Sequence, residues 1–143
     1  MSSIWTVTPS LEGMAERTRN TAVEAMGIEF LEVGDDYLVA RMPVDHRTVQ
    51  PAGILHGGAS VVLAETLGSV AANHCIRRPD KAGVGLEINA NHIRSVRSGW
   101  VIGTARPLHI GGTTQVWEIR IENEEGKLVC MSRITMAVIP VPG

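Results

Sequence analysis

Aromatic side chains are scarce, at 3% of 143 residues: three tryptophans, Tyr37 and Phe30. With so few rings, stacking gives little guide to a ligand. Cysteine is scarcer still. Cys75 and Cys130 are too few for a disulfide scaffold and form no CxxC pair, which fits a reducing compartment and an expected cytoplasmic location. No stretch reaches the roughly 18 apolar residues of a membrane span, and MSSIWTVTPS lacks the basic and apolar regions of a signal peptide, so neither membrane insertion nor export is expected. Charge of one sign is also missing. Thirteen basic residues stand against 15 acidic ones, for a formal net charge of −2, and no long basic run appears, so nucleic acid and anionic lipid are not expected partners. The histidines at 46, 56, 74, 92 and 109 show no HxxxH spacing, which argues against a metal site. Small ligands or proteins are the partners left.

A chain of this length, 44% hydrophobic and 20% charged, fits one compact domain over residues 1–143. Residues 1–26 form an N-terminal segment with one or two helical turns expected after a Ser10 cap and a break near Asn20-Thr21. GIEFLEV (27–33) and YLVARMP (37–43) flank Gly34-Asp35-Asp36 and predict a β-hairpin. The polar stretch VDHRTVQPAG (44–53) reads as a loop. From Val84 onward, VGLEINANHIRS, WVIGTARPLHI, TTQVWEIRIEN and LVCMSRITMAVI predict four long strands. In the third of these, Trp117, Ile119 and Ile121 alternate with Glu118, Arg120 and Glu122, the period of a strand with one buried face. The predicted class is α+β, a mostly antiparallel sheet with one long helix over about 54–74.

QPAGILHGGASVVLAET, residues 50–66, carries the chemistry. From Gly58 to Ala72 the predicted helix is apolar or small nearly all round, so the strands are expected to wrap it. Glu65 is then expected inside the protein or at a subunit seam, where a carboxylate requires a partner or a task. A structural glutamate on a partly exposed stripe is the alternative. His56-Gly57-Gly58 marks the helix start, where unpaired N–H groups and the positive end of the macrodipole suit an oxyanion, with Gln50 and His56 as further polar contacts. A plain glycine helix start explains the same residues. Gly57 and Glu65 are eight residues apart, or ~12 Å along a helix, too far to act on one carbonyl within one chain. A two-fold pair of helices would bring the Glu65 of one subunit to the helix start of the other. Ser69, one turn beyond Glu65, either orients the carboxylate or serves packing. His92 and Arg94, two apart on a predicted strand, share a face and suit a phosphate, although a solvated strand end is the plainer reading.

QPAGILHGGASVVLAE, followed by VGLEINANHIRS and PLHIGG, resembles the hotdog-fold acyl-CoA thioesterases from about residue 10 to 139. Within that superfamily the chain most resembles the group that acts on aromatic acyl-CoA or acyl-carrier thioesters, including the 1,4-dihydroxy-2-naphthoyl-CoA, enterobactin proofreading and Arthrobacter-type 4-hydroxybenzoyl-CoA thioesterases. That group has a glutamate at the Glu65 position where phenylacetate-pathway relatives have an aspartate. The resemblance implies Glu65 as nucleophile or general base and the Gly57 N–H as the donor that polarises the thioester carbonyl. Gln50 and His56 would assist beside Gly57, and Ser69 beside Glu65. It also implies contacts to pantetheine and nucleotide from Gly85, from His92, Ile93, Arg94 and Ser95, and from His109, Ile110, Gly111, Gly112, Thr113 and Thr114. Relatives often have a basic residue in that last turn. This chain has none there, so phosphate binding in the turn would fall to backbone N–H and hydroxyl groups. The implied partners are an acyl-CoA or acyl-carrier-protein substrate and further copies of the chain, as a dimer of dimers, and no cofactor is implied. Two other functions remain open: a hotdog 3-hydroxyacyl thioester dehydratase using His56, and an acyl-CoA-binding sensor without catalysis.

Overall fold

The computed structural model describes residues 2–141. Met1, Pro142 and Gly143, the ends of the expected domain, lie outside them. Helix α1 (Leu11–Arg17) begins where the Ser10 hydroxyl accepts the Gly13 N–H at 3.0 Å, and α2 (Ala22–Ala25) follows a break at Asn20, whose φ is +60°. The rest of the segment is not helical among its described residues. The hairpin strands β1 (Glu29–Val33) and β2 (Leu38–Pro43) are followed by the long helix α3 (Gly57–Asn73). Then come β3 (Lys81–His92), β4 (Trp100–Ile110), β5 (Thr114–Asn123) and β6 (Leu128–Pro140).

Two predicted boundaries move. The helix starts at Gly57 rather than near residue 54, because Leu55 forms a bridge with Val49 and the His56 N–H bonds to the Thr48 carbonyl at 2.8 Å. The first long strand starts at Lys81 rather than Val84, since its pairing with β6 begins at Lys81 opposite Pro140.

All six strands form one antiparallel sheet in the order β1-β2-β4-β5-β6-β3, which wraps one face of α3. This is the hotdog fold. The alternation in β5 is as expected, for Trp117, Ile119 and Ile121 are fully buried. Each such side chain contributes about 2 kcal/mol relative to an exposed one. Helix and sheet meet closely at Gly68, where a β-carbon would stand 2.6 Å from Cγ2 of Ile134. A buried relay fixes the far end of the helix: the Trp117 indole N–H donates to Gln115 at 2.8 Å, and the Gln115 amide donates to the Ala72 carbonyl at 3.2 Å.

The expectation that the chain's own strands would enclose α3 is only half met. Leu63, Ala64, Leu67, Ala71 and Ala72 are buried, but Val61, Glu65, Ser69 and Asn73 form a stripe beside the edge strand β3 that the sheet covers only in part, with Glu65 and Asn73 exposed. Strand β3 is also an edge strand, and Val84 and Leu86 on it are 44% and 66% exposed. A long edge bearing exposed aliphatic side chains is a ready template for another strand.

Candidate active site

The loop before α3 is built to hold one shape. The Arg47 guanidinium donates to both Asp45 oxygens, at 3.1 and 2.7 Å, and its backbone N–H donates to Asp45 as well. Together these bonds lower the Asp45 carboxyl from 3.8 to about 2. The buried Thr48 hydroxyl donates to the Pro43 carbonyl at 2.7 Å, and the Gln50 side-chain oxygen accepts the Ala52 N–H.

His56 has a structural task at the start of the helix. It is the N-cap of α3, and its Nδ1 accepts the Gly58 N–H at 2.8 Å. Accepting that bond places the ring proton on Nε2. The Gly57 N–H, in contrast, donates to no acceptor among the described residues. It stands at the positive end of a 17-residue helix.

A cleft of about 330 Å³ opens against this N–H and gathers Gln50, Gly57, His92, Ile93, Arg94 and Ser95. The expected strand geometry needs correction here, because β3 ends at His92 and Arg94 lies beyond it. Both Ile93 and Arg94 turn their N–H groups onto the Val129 carbonyl, at 2.8 and 3.3 Å. The residues nonetheless share the cleft. The His92 ring lies against the helix start, with Nε2 2.9 Å from where a Gly57 β-carbon would stand, so only glycine fits there without moving the ring.

Glu65 is elsewhere. It lies on the stripe beside β3, exposed, with Oε2 2.6 Å from where a β-carbon on Gly85 would be. Of the two places expected for Glu65, the interior of its own chain is not where it lies, for its side chain is exposed beside the edge strand β3. Gly85 is the seat of the carboxylate. Ser69 follows on the same stripe, beside Val70, Asn73 and His74. The turn at Gly111-Gly112 is at the other end of α3, packed against residues 75–78, with His109 and Ile110 still within β4. Within one chain the residues named from sequence thus fall into three groups along the helix: the cleft, the Glu65–Gly85 contact and the far turn.

Elsewhere, a recess of about 520 Å³ between α1, β1 and Trp100 contains none of them. Burial pushes the Cys75 thiol up to about 12 and raises that of Cys130, so neither is an available thiolate. Among the described residues no three His, Cys, Asp or Glu side chains cluster to hold a metal, and no helix is long and apolar enough to cross a membrane.

Comparison with known proteins gives the family. Residues 52–130 match the thioesterase superfamily. The 1,4-dihydroxy-2-naphthoyl-CoA hydrolase of Escherichia coli is 52% identical over 136 residues, covering 95% of this chain and 99% of that protein. The proofreading thioesterase EntH of Cronobacter turicensis is 48% identical over 136 residues, covering 95% and 98%. A crystal structure of a thioesterase from Haemophilus influenzae superimposes with a TM-score of 0.93 at 50% identity, covering 98% of this chain and 97% of that one. The chain belongs to the thioesterase superfamily and is a thioester hydrolase of the hotdog fold.

Proposed function

We propose that the protein hydrolyses acyl-CoA or acyl-carrier-protein thioesters with aromatic or medium-sized acyl groups, at a site shared by two subunits. The observation that carries this reading is the separation of an unpaired Gly57 N–H from an exposed Glu65 on one helix, beside a free sheet edge. The naphthoyl-CoA hydrolase and proofreading thioesterase relatives support an aromatic acyl group.

The free edge also suggests a register. If two β3 strands pair antiparallel about a two-fold axis at Asn89, Ala90 faces the partner's Ile88 and Asn91 faces the partner's Glu87. Leu86 is the extra residue of a bulge within β3, so His92 then faces the partner's Gly85. That register sets the partner's Glu65 beside the cleft at Gly57.

There the thioester oxygen accepts the Gly57 N–H, and the partner's Glu65 acts on the carbonyl carbon. Direct attack breaks the carbon–sulfur bond, the carrier leaves as a thiolate that takes a proton, and water opens the resulting anhydride. The same carboxylate acting as a general base delivers water in one step. The dehydratase reading loses its base, because His56 Nδ1 is engaged by Gly58 and Nε2 carries the proton.

Subunit mixing tests the shared site. Gln50→Ala and Glu65→Ala chains, each inactive alone, are unfolded and refolded together in equal amounts. Half the dimers are then mixed, each with one intact site of two, so activity returns to about a quarter of wild type. A mixture with verified chain exchange that stays as inactive as its parents refutes the shared site.

A further inference from the structure

One turn past Glu65, α3 borders a second cleft, of about 240 Å³, that lies between α1 and the end of the helix. Met14 and Val70 are its apolar residues, and most of its polar groups are already engaged. The Asn73 amide donates to the Ser69 and Gly83 carbonyls at 2.8 and 3.1 Å, and its oxygen accepts the Gly83 N–H at 2.8 Å. The Thr18 hydroxyl bonds the Met14 and Ala15 carbonyls at 3.0 and 3.1 Å. His74 Nδ1 lies 2.8 Å from the Val70 carbonyl, to which it can only donate.

Arg17 is different. It stands exposed in the last turn of α1 and lines the cleft. Its neighbour Arg19 pairs with Glu16 at 3.2 Å, whereas Arg17 forms no ion pair and no side-chain hydrogen bond among the described residues. The Ser69 hydroxyl is likewise without a partner among them, and no acidic side chain lines the cleft. A guanidinium with no carboxylate of its own, beside a free hydroxyl and apolar side chains, suits an apolar group that ends in an anion.

We infer that Arg17 selects acyl groups bearing a carboxylate at the end away from the thioester, and that an aromatic ring substituted across from its carbonyl fits best. The inference rests on the shared thioesterase site proposed above. In that dimer the two α3 helices run antiparallel, with Gly57 of one subunit beside the partner's Glu65. The partner's helix then continues past Gly57 toward its own Ser69 and Asn73, so its cleft lies ahead of the thioester carbonyl. Ile93, Arg94 and Ser95 are left to the carrier, and the acyl group follows the partner's helix. From Glu65 to Ser69 is one turn, about 6 Å, which a benzene ring with a para substituent spans.

Two esters of nearly equal shape read the charge: 4-carboxybenzoyl-CoA and 4-carbamoylbenzoyl-CoA. For each, kcat/KM is measured with wild type, Arg17→Met and Arg17→Lys. The ratio of the two esters is then compared between enzymes, which cancels their different intrinsic reactivity. The ratio of carboxylated to carbamoylated ester should fall about tenfold from wild type to Arg17→Met, with Arg17→Lys between the two, and the gap should narrow as salt is raised. Because Arg17 is exposed, Tm should be the same in all three. Hydrolysis of benzoyl-CoA by wild type is measured separately. An equal ratio in wild type and Arg17→Met overturns the inference and leaves the thioesterase reading standing, as does hydrolysis of benzoyl-CoA by wild type without hydrolysis of either para-substituted ester. No hydrolysis of benzoyl-CoA or of either substituted ester by wild type refutes the thioesterase reading, and the inference falls with it.

Discussion

Adding one methyl group at Gly85 should separate activity from stability. The β-carbon of Gly85→Ala would stand 2.6 Å from Oε2 of Glu65, so that oxygen must retreat by about 0.8 Å to reach ordinary contact at 3.4 Å. Its other near neighbour, Cδ1 of Ile134, is already at an ordinary 3.8 Å. The backbone of Gly85 does not have positive φ, so alanine is allowed there and removes some chain entropy from the unfolded state. Stability should therefore hold or rise slightly, with Tm unchanged or a little higher. Activity should not hold. A displacement approaching 1 Å in a catalytic group costs about 10²-fold, so kcat/KM for an aromatic acyl-CoA should fall by about that factor. Coupling provides the control, because the shorter side chain of Glu65→Asp withdraws the carboxylate by itself. The double variant Gly85→Ala/Glu65→Asp should be no slower than Glu65→Asp alone. A Gly85→Ala enzyme of unchanged Tm that keeps a third or more of wild-type kcat/KM would refute the reasoning, since Glu65 would then do its work from another position.

Glu65→Ala should lower kcat by ~10³-fold or more with little change in substrate binding, as checked by steady-state kinetics and product titration. Asp45 is held at about 2 against an ordinary 3.8, so its contact with Arg47 supports the loop above about pH 4 and is lost as pH falls through about 2. The Tm gap between wild type and Asp45→Asn should accordingly be present at pH 7 and close by pH 2.

Much of the fold was legible because local pattern and tertiary outcome agree. Ser10 caps the helix it announces, and the β5 alternation buries the residues it marks. Where reading failed, the cause lies in pairings that no local pattern encodes. The apolar girth of α3 announces burial but not which chain provides it, so it left Glu65 either inside the protein or at a subunit seam, and within the single chain the side chain is exposed. The helix cap made by the His56 ring was likewise not announced by its place beside two glycines. The bond of Gln115 was missed because its carbonyl partner, Ala72, lies 43 residues away in the chain.

The order of the strands bears on how the molecule is made. β3 is synthesised soon after α3, yet its one neighbour in the sheet is β6, the last strand of the fold. Until β6 emerges from the ribosome, β3 has both edges bare, and contacts this distant in sequence form slowly. A nascent or truncated chain without Leu128–Pro140 therefore cannot present the ordered edge that a second subunit would recognise. In the proposed dimer, assembly would wait for the end of translation, and incomplete chains would be kept from pairing with finished ones.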